Sequence, residues 1–248
     1  MYKVMIMVLF AWFVNVMLYA DAWNSPHDPE KVQHETLFAA FSTPPKRLDP
    51  VVSYNANEWA IIGQVYEPPL QYNYLKRPYT LEPLTLTKMP SIRYVDGKGN
   101  EVDENAKEVQ FSEYRLELRE DVYFQDHPSF VKNDKGDLLY NNLSAEYLKD
   151  IHLLDDFEKT ATRRLLAADY AYAIKRMAVR ENHSPVLDNM SEYIVGLKIF
   201  SQKISKIAKE KKQKNIWLDL RRYDISGVKV LDDNTLTIKI KGKYPQFM

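Results

Sequence analysis

The sequence predicts a mixed α/β (α+β) fold, and three observations predict it. In "FSEYRLELREDVYF", Phe111, Tyr114, Leu116 and Leu118 alternate with Arg115, Glu117 and Arg119, the period of a strand half sunk in a core. In "TRRLLAADYAYAIKRMA" the apolar side chains Leu166, Tyr170, Ala173, Ile174 and Met177 recur at helical spacing, with Arg163, Arg164, Asp169, Lys175 and Arg176 mostly away from them. Near the end, "GVKVLDDNTLTIKIKGKYP" reads as two short strands about a turn at Asp232-Asp233-Asn234. The pattern carries no internal repeat.

Taken from the start, the chain first shows a leader. Val4 to Val14 are apolar without a break after Lys3, and Ala20-Asp21-Ala22 supplies the small-x-small pattern that signal peptidase accepts. Residues 1–22 therefore read as a cleavable secretory signal, and 23–248 as the mature chain. An uncleaved anchor is the alternative, disfavoured because the apolar run falls short of the ~20 residues that span a bilayer. Residues 23–47 form a Pro- and His-punctuated lead-in with one apolar patch, Leu37 to Phe41. Asp49-Pro50 marks a turn, and Trp59 to Tyr66 makes a short helix ahead of Pro68-Pro69. Two Pro-bounded stretches lead to Pro90, and "DGKGNEVDENAKE" is a polar loop or hairpin tip. After the alternating strand, Ser144 caps a short helix carrying Tyr147, Leu148 and Ile151. A further helix runs from about Ser191, with Ile194, Leu197, Ile204, Ile207 and Ala208 inward and a lysine-rich, solvated end from Lys206 to Lys214. No element follows the last strand, so Met248 reads as a cut in a longer chain.

Composition excludes whole classes of function. At 248 residues, 45% hydrophobic and 27% charged, the chain can bury a real core. Lys and Arg number 34 and Asp and Glu number 34, so no net field draws it to nucleic acid or to an anionic membrane. It contains no cysteine, which removes disulfides, thiolate metal sites and cysteine nucleophiles together. An exported domain without disulfides fits a bacterial periplasm.

Motifs for chemistry are sparse. The five histidines (27, 34, 127, 152 and 183) form no metal-protease pattern, and "HETLF" lacks the second His. His152-x-x-Asp155-Asp156 is read as a solvated helix end ahead of a metal site. No G-x-S-x-G elbow occurs, and Gly97-Lys98-Gly99 lacks the rest of a phosphate loop. The pair Asp126-His127 suggests a dyad, but Pro128 ends the strand there and strand neighbours point to opposite sides, so a turn is the stronger reading.

Five stretches in order carry a resemblance: "RLDPVVSYN", "QVYEPPLQY", "YRLELREDVYFQDHPSF", "LLAADYAYAIKRM" and "GVKVLDDNTLTIKIKGKYPQF". Together, from about residue 36 to 248, they resemble the family 5 extracellular solute-binding proteins, the peptide, dipeptide and nickel receptors of ABC importers. The stretch "SPVLDNMSEYIVGL" is similar to a long branch of that family. Pro68 stands where the family has glycine, and Leu166 to Asp169 replace its Thr-Ala helix start.

The resemblance implies a type II periplasmic-binding-protein-like fold, of which this chain holds the N-terminal lobe only, incomplete at its C-terminus. It implies a non-catalytic receptor, monomeric and without cofactor or metal, that captures oligopeptides and hands them to a membrane permease. Counted from Leu48-Asp49-Pro50 to Tyr66-Glu67, Glu58 falls where a peptide-contacting acid lies in the oligopeptide-binding branch. Tyr54, Asn55, Asn57 and Trp59 are further ligand-binding candidates, since aromatic and amide groups line peptide clefts. The alternatives are an exported hydrolase using Asp126 and His127, or a periplasmic scaffold that has lost its ligand.

Overall fold

The computed structural model describes residues 40–41, 43–214 and 216–248. The predicted signal and most of the lead-in lie outside the described residues. The chain divides into two compact units, Met1–Pro44 and Pro45–Met248. The few described residues of the first form no helix or strand. All that follows concerns the second.

Its centre is a four-stranded antiparallel sheet built from β3 (Ser91–Val95), β4 (Phe111–Glu117), β5 (Val228–Val230) and β6 (Thr235–Lys241), in the order β3-β4-β6-β5. β4 runs alongside β6 from Phe111↔Lys241 to Glu117↔Thr235. The tight Asp232–Asn234 turn joins β5 to β6, with Asp232 accepting from the Asn234 N–H at 2.8 Å. A separate hairpin pairs β1 (Leu70–Tyr72) with β2 (Leu81–Pro83).

The strand predicted from alternation is present, but one residue was placed on the wrong face. Ser112, Tyr114, Leu116 and Leu118 are the buried set. Phe111 has the opposite parity and shares the outer face with Glu113, where the Lys239 ammonium lies 4.6 Å from its ring centroid. Ser112 takes the core position and donates to the Gly242 carbonyl at 2.6 Å.

Three helices cover the core face: α3 (Ala167–Met177), α4 (Leu187–Tyr193) and α5 (Leu197–Gln213). Ala167, Ala171 and Ala178 are buried on the α3 side, and with so little side chain between them the helix closes on β5 and β6. Leu197, Phe200 and Ile204 on α5 fill the space against Leu236, Ile238 and Ile240 of β6 in one continuous core. The predicted single helix from Ser191 is in fact two. Ile194 leaves the helix to bridge Ile240, Val195 pairs its N–H with the Lys239 carbonyl at 3.0 Å, and Gly196 restarts the chain at φ +80°. Side-chain periodicity continues through this break because both helices bury the same side.

With Leu166 in the cap position, Asp169 caps from inside, accepting the Leu166 N–H at 2.9 Å and both arms of Arg163 at 2.7 and 2.8 Å. The short helix α2 (Ala145–Leu148) starts as predicted, with Ser144 Oγ accepting the Tyr147 N–H at 3.1 Å. Its Tyr147 and Leu148 remain largely exposed.

Candidate functional site

The stretch 46–67 holds all five candidate residues, and its shape follows from one buried carboxylate. Helix α1 (Ala56–Val65) starts after Asn55, whose carbonyl accepts the N–H groups of Glu58 and Trp59 at 3.1 and 3.0 Å. It ends at Tyr66, because Pro68-Pro69 cannot continue a helix. Its inward residues are Glu58 and Ile62, one turn apart, at 2% and 1% exposure.

Glu58 does not face outward to a ligand. Its Oε1 accepts the N–H groups of Lys46 and Arg47 at 3.0 and 3.2 Å, and its Oε2 accepts the Ser53 hydroxyl at 2.6 Å. Those donors, Ser53 first, outweigh burial and pull the carboxyl pKa from 4.5 down to about 2. The position that the resemblance matches to a peptide contact is thus occupied within the chain, with both carboxylate oxygens engaged by residues 46–53.

Two further ties bolt the same stretch to α3. Asp49 bends the backbone, accepting the Val51 N–H at 3.1 Å, and takes the Arg176 guanidinium on both oxygens. At the other end, the Tyr170 hydroxyl sits 2.7 Å from Thr85 Oγ and donates to the Glu67 carbonyl at 3.2 Å. Burial raises the Tyr170 pKa, so the phenol keeps its proton for these contacts. The Leu48-Asp49-Pro50 and Tyr66-Glu67-Pro68 stretches therefore hold fixed positions at the two ends of one helix. Nothing local in the sequence pairs these groups, since Asp49 and Arg176 stand 127 residues apart, Glu67 and Tyr170 103, and Thr85 and Tyr170 85.

With the loop pinned, its remaining candidates are presented outward. Tyr54 is 74% exposed, Trp59 46% and Asn55 exposed. Asn57 is half-buried and its Oδ1 accepts the Glu58 N–H at 3.0 Å. Tyr66 and Val65 extend the apolar surface at the end of α1. The arrangement offers a rigid, uncharged aromatic and amide surface, suited to stacking and hydrogen bonding but without a group to make or break a bond.

The pair Asp126-His127 occupies a turn. His127 Nδ1 accepts the Ser129 N–H at 3.1 Å and lies 2.8 Å from its hydroxyl, and the His127 backbone pairs with Ala161. Among the described residues no hydrogen bond joins Asp126 to His127. His152 likewise uses its backbone, its N–H donating to Asp156 Oδ2 at 2.7 Å as a local cap. Among the described residues no cluster of His, Asp and Glu could hold a metal ion, and no helix is long and apolar enough to cross a membrane.

A shallow depression on the outer sheet face, between Arg93, Glu101, Glu113 and Arg115, is closed electrostatically. Burial alone would raise the Glu113 pKa, but Arg93 and Lys239 hold it below the ordinary value, and Arg115 is engaged by Glu117 at 3.2 Å.

No protein-family model matches this sequence, and no curated protein does. Among solved structures, it is similar to Listeria monocytogenes OppA bound to peptide, at 14% identity and a TM-score of 0.41. The match covers 80% of this chain and 25% of that one, so the chain spans about a quarter of that protein's length.

Proposed function

We propose that this chain forms the N-terminal lobe of an exported solute-binding receptor for an ABC importer. It works in the periplasm, takes oligopeptides, hands them to a membrane permease, and performs no chemistry of its own. Two things support the reading: the order of the five sequence stretches that resemble the family, and the geometry at α1. The single observation that carries it is the Glu58 clasp. A buried carboxylate organising eight residues of loop, so that Tyr54, Asn55 and Trp59 stand out from a rigid base, is a construction that preorganises a contact surface. In this reading Glu58 positions and the aromatic and amide residues touch the peptide.

The test is a titration of the full chain with mixed unlabelled oligopeptides, followed by tryptophan emission and by backbone amide shifts. The expected result is a saturable change that centres on residues 53–60, and that Trp59→Ala removes while leaving the melting temperature within about 2 °C, as for an exposed side chain. Amide shifts absent from that stretch up to the solubility limit of the peptides would overturn the proposal.

A further inference from the structure

Positive charge is concentrated at one end of α5, in a chain whose formal charge sums to zero. Between Lys206 and Trp217 stand five lysines (206, 209, 211, 212 and 214) against one acid, Glu210, a local balance of +4. The lysine ion pairs among the described residues belong to Lys88, Lys175, Lys198 and Lys239, so none of the five is neutralised by a carboxylate. Lys206, Lys209, Lys212 and Lys214 are exposed, because Leu197, Phe200, Ser201 and Ile204 turn the other face of the helix into the core.

Cations at a helix C-terminus are favoured by its dipole, and that accounts for Lys211 and Lys212. It does not account for what comes next. Past the helix, the Ile216 N–H donates to the Lys211 carbonyl at 2.9 Å, and Ile216 is 50% and Trp217 70% exposed. Dipole compensation alone does not call for an exposed tryptophan and isoleucine beside lysines that, among the described residues, pair with no carboxylate.

We propose that this end of α5 binds the surface of an anionic phospholipid bilayer. The lysines lie over the lipid phosphates, and Trp217 and Ile216 enter at headgroup level, where an indole satisfies both an apolar ring and a polar N–H. The choice of cation favours lipid over an acidic protein. All five are lysines, hydrated point charges suited to a diffuse anionic surface, and the stretch has no arginine fork of the kind that matches fixed carboxylates. The contact is peripheral and does not depend on peptide binding at α1.

The experiment is co-sedimentation of the full chain with vesicles of phosphatidylcholine alone, and with vesicles of one part phosphatidylglycerol to two parts phosphatidylcholine. Binding is expected only to the second. It should weaken steeply with added salt and by about fivefold for each of Lys206→Ala, Lys209→Ala and Lys212→Ala. Tryptophan emission should move to the blue on binding, and Trp217→Phe should abolish most of that movement. These surface variants keep the wild-type circular dichroism melt, which separates lost binding from lost fold. Equal binding to both vesicle types, no binding to either, or full binding by the folded triple variant overturns the proposal. So does self-association of the chain that the triple variant abolishes without any vesicle binding, which would make the patch an interface between copies.

Discussion

Replacing Gly196 with alanine tests the break between α4 and α5 directly. Gly196 sits at φ +80° and ψ −6°, in the left-handed region, where an alanine costs about 1–2 kcal/mol. An added Cβ would also stand 2.2 Å from Ser226 Oγ and 3.2 Å from the Ser226 backbone nitrogen. Ser226 precedes Gly227, whose N–H donates to the Val195 carbonyl at 2.9 Å, so its backbone has little freedom to retreat. Relieving that overlap costs about another 1–3 kcal/mol. The sum is roughly 3 kcal/mol, which for a unit of this size lowers the melting temperature by about 6–12 °C. Thermal unfolding followed by circular dichroism, with a urea midpoint as a second probe, measures it. Ser226→Gly removes the Oγ and Cβ contacts but leaves the backbone-nitrogen contact and the left-handed φ, so Gly196→Ala should cost less in the Ser226→Gly background than in the wild type, but still more than nothing. A Gly196→Ala change under about 0.5 kcal/mol would mean the helix runs straight through, as the periodicity alone suggested.

Two further outcomes follow from the clasp and its supports. Glu58 has its pKa depressed from 4.5 to about 2 in the folded chain, so its stabilising contribution is complete above about pH 4.5 and is lost as pH falls towards 2. Glu58→Gln should flatten the acid limb of a melting-temperature profile across that window and leave the neutral limb's slope unchanged; an unchanged acid limb would show that the carboxylate is not clasped. Tyr170→Phe removes the hydroxyl shared by Thr85 and the Glu67 carbonyl, and should cost about 1–2 kcal/mol, with hydrogen exchange accelerated at the Glu67, Leu70 and Thr85 amides; urea unfolding and exchange rates together check it.

The local half of this structure was legible along the chain. Alternation announced β4, a turn of Asp and Asn announced the β5–β6 hairpin, and Ser144 announced the start of α2, because each depends on residues within a few positions of one another. Phe111 shows the limit even there. Its apolar side chain fits the count of the strand but has the wrong parity for the core, and only the pairing with β6 reveals that Lys239 covers it from outside.

Amino-acid sequence by itself determined the mixed helix and strand class of the fold and the places of its main turns, since composition, period and capping are local properties. What only the tertiary structure decided is what the polar residues are for. Glu58 reads as a ligand-facing acid until Lys46, Arg47 and Ser53 are seen closing round it, and Asp49 reads as a turn residue until Arg176 reaches it from α3. A carboxylate offered to a ligand and one consumed by its own chain have the same neighbours in sequence. They differ in which donors lie within hydrogen-bond reach, and those donors arrive from segments that only the packed core brings together.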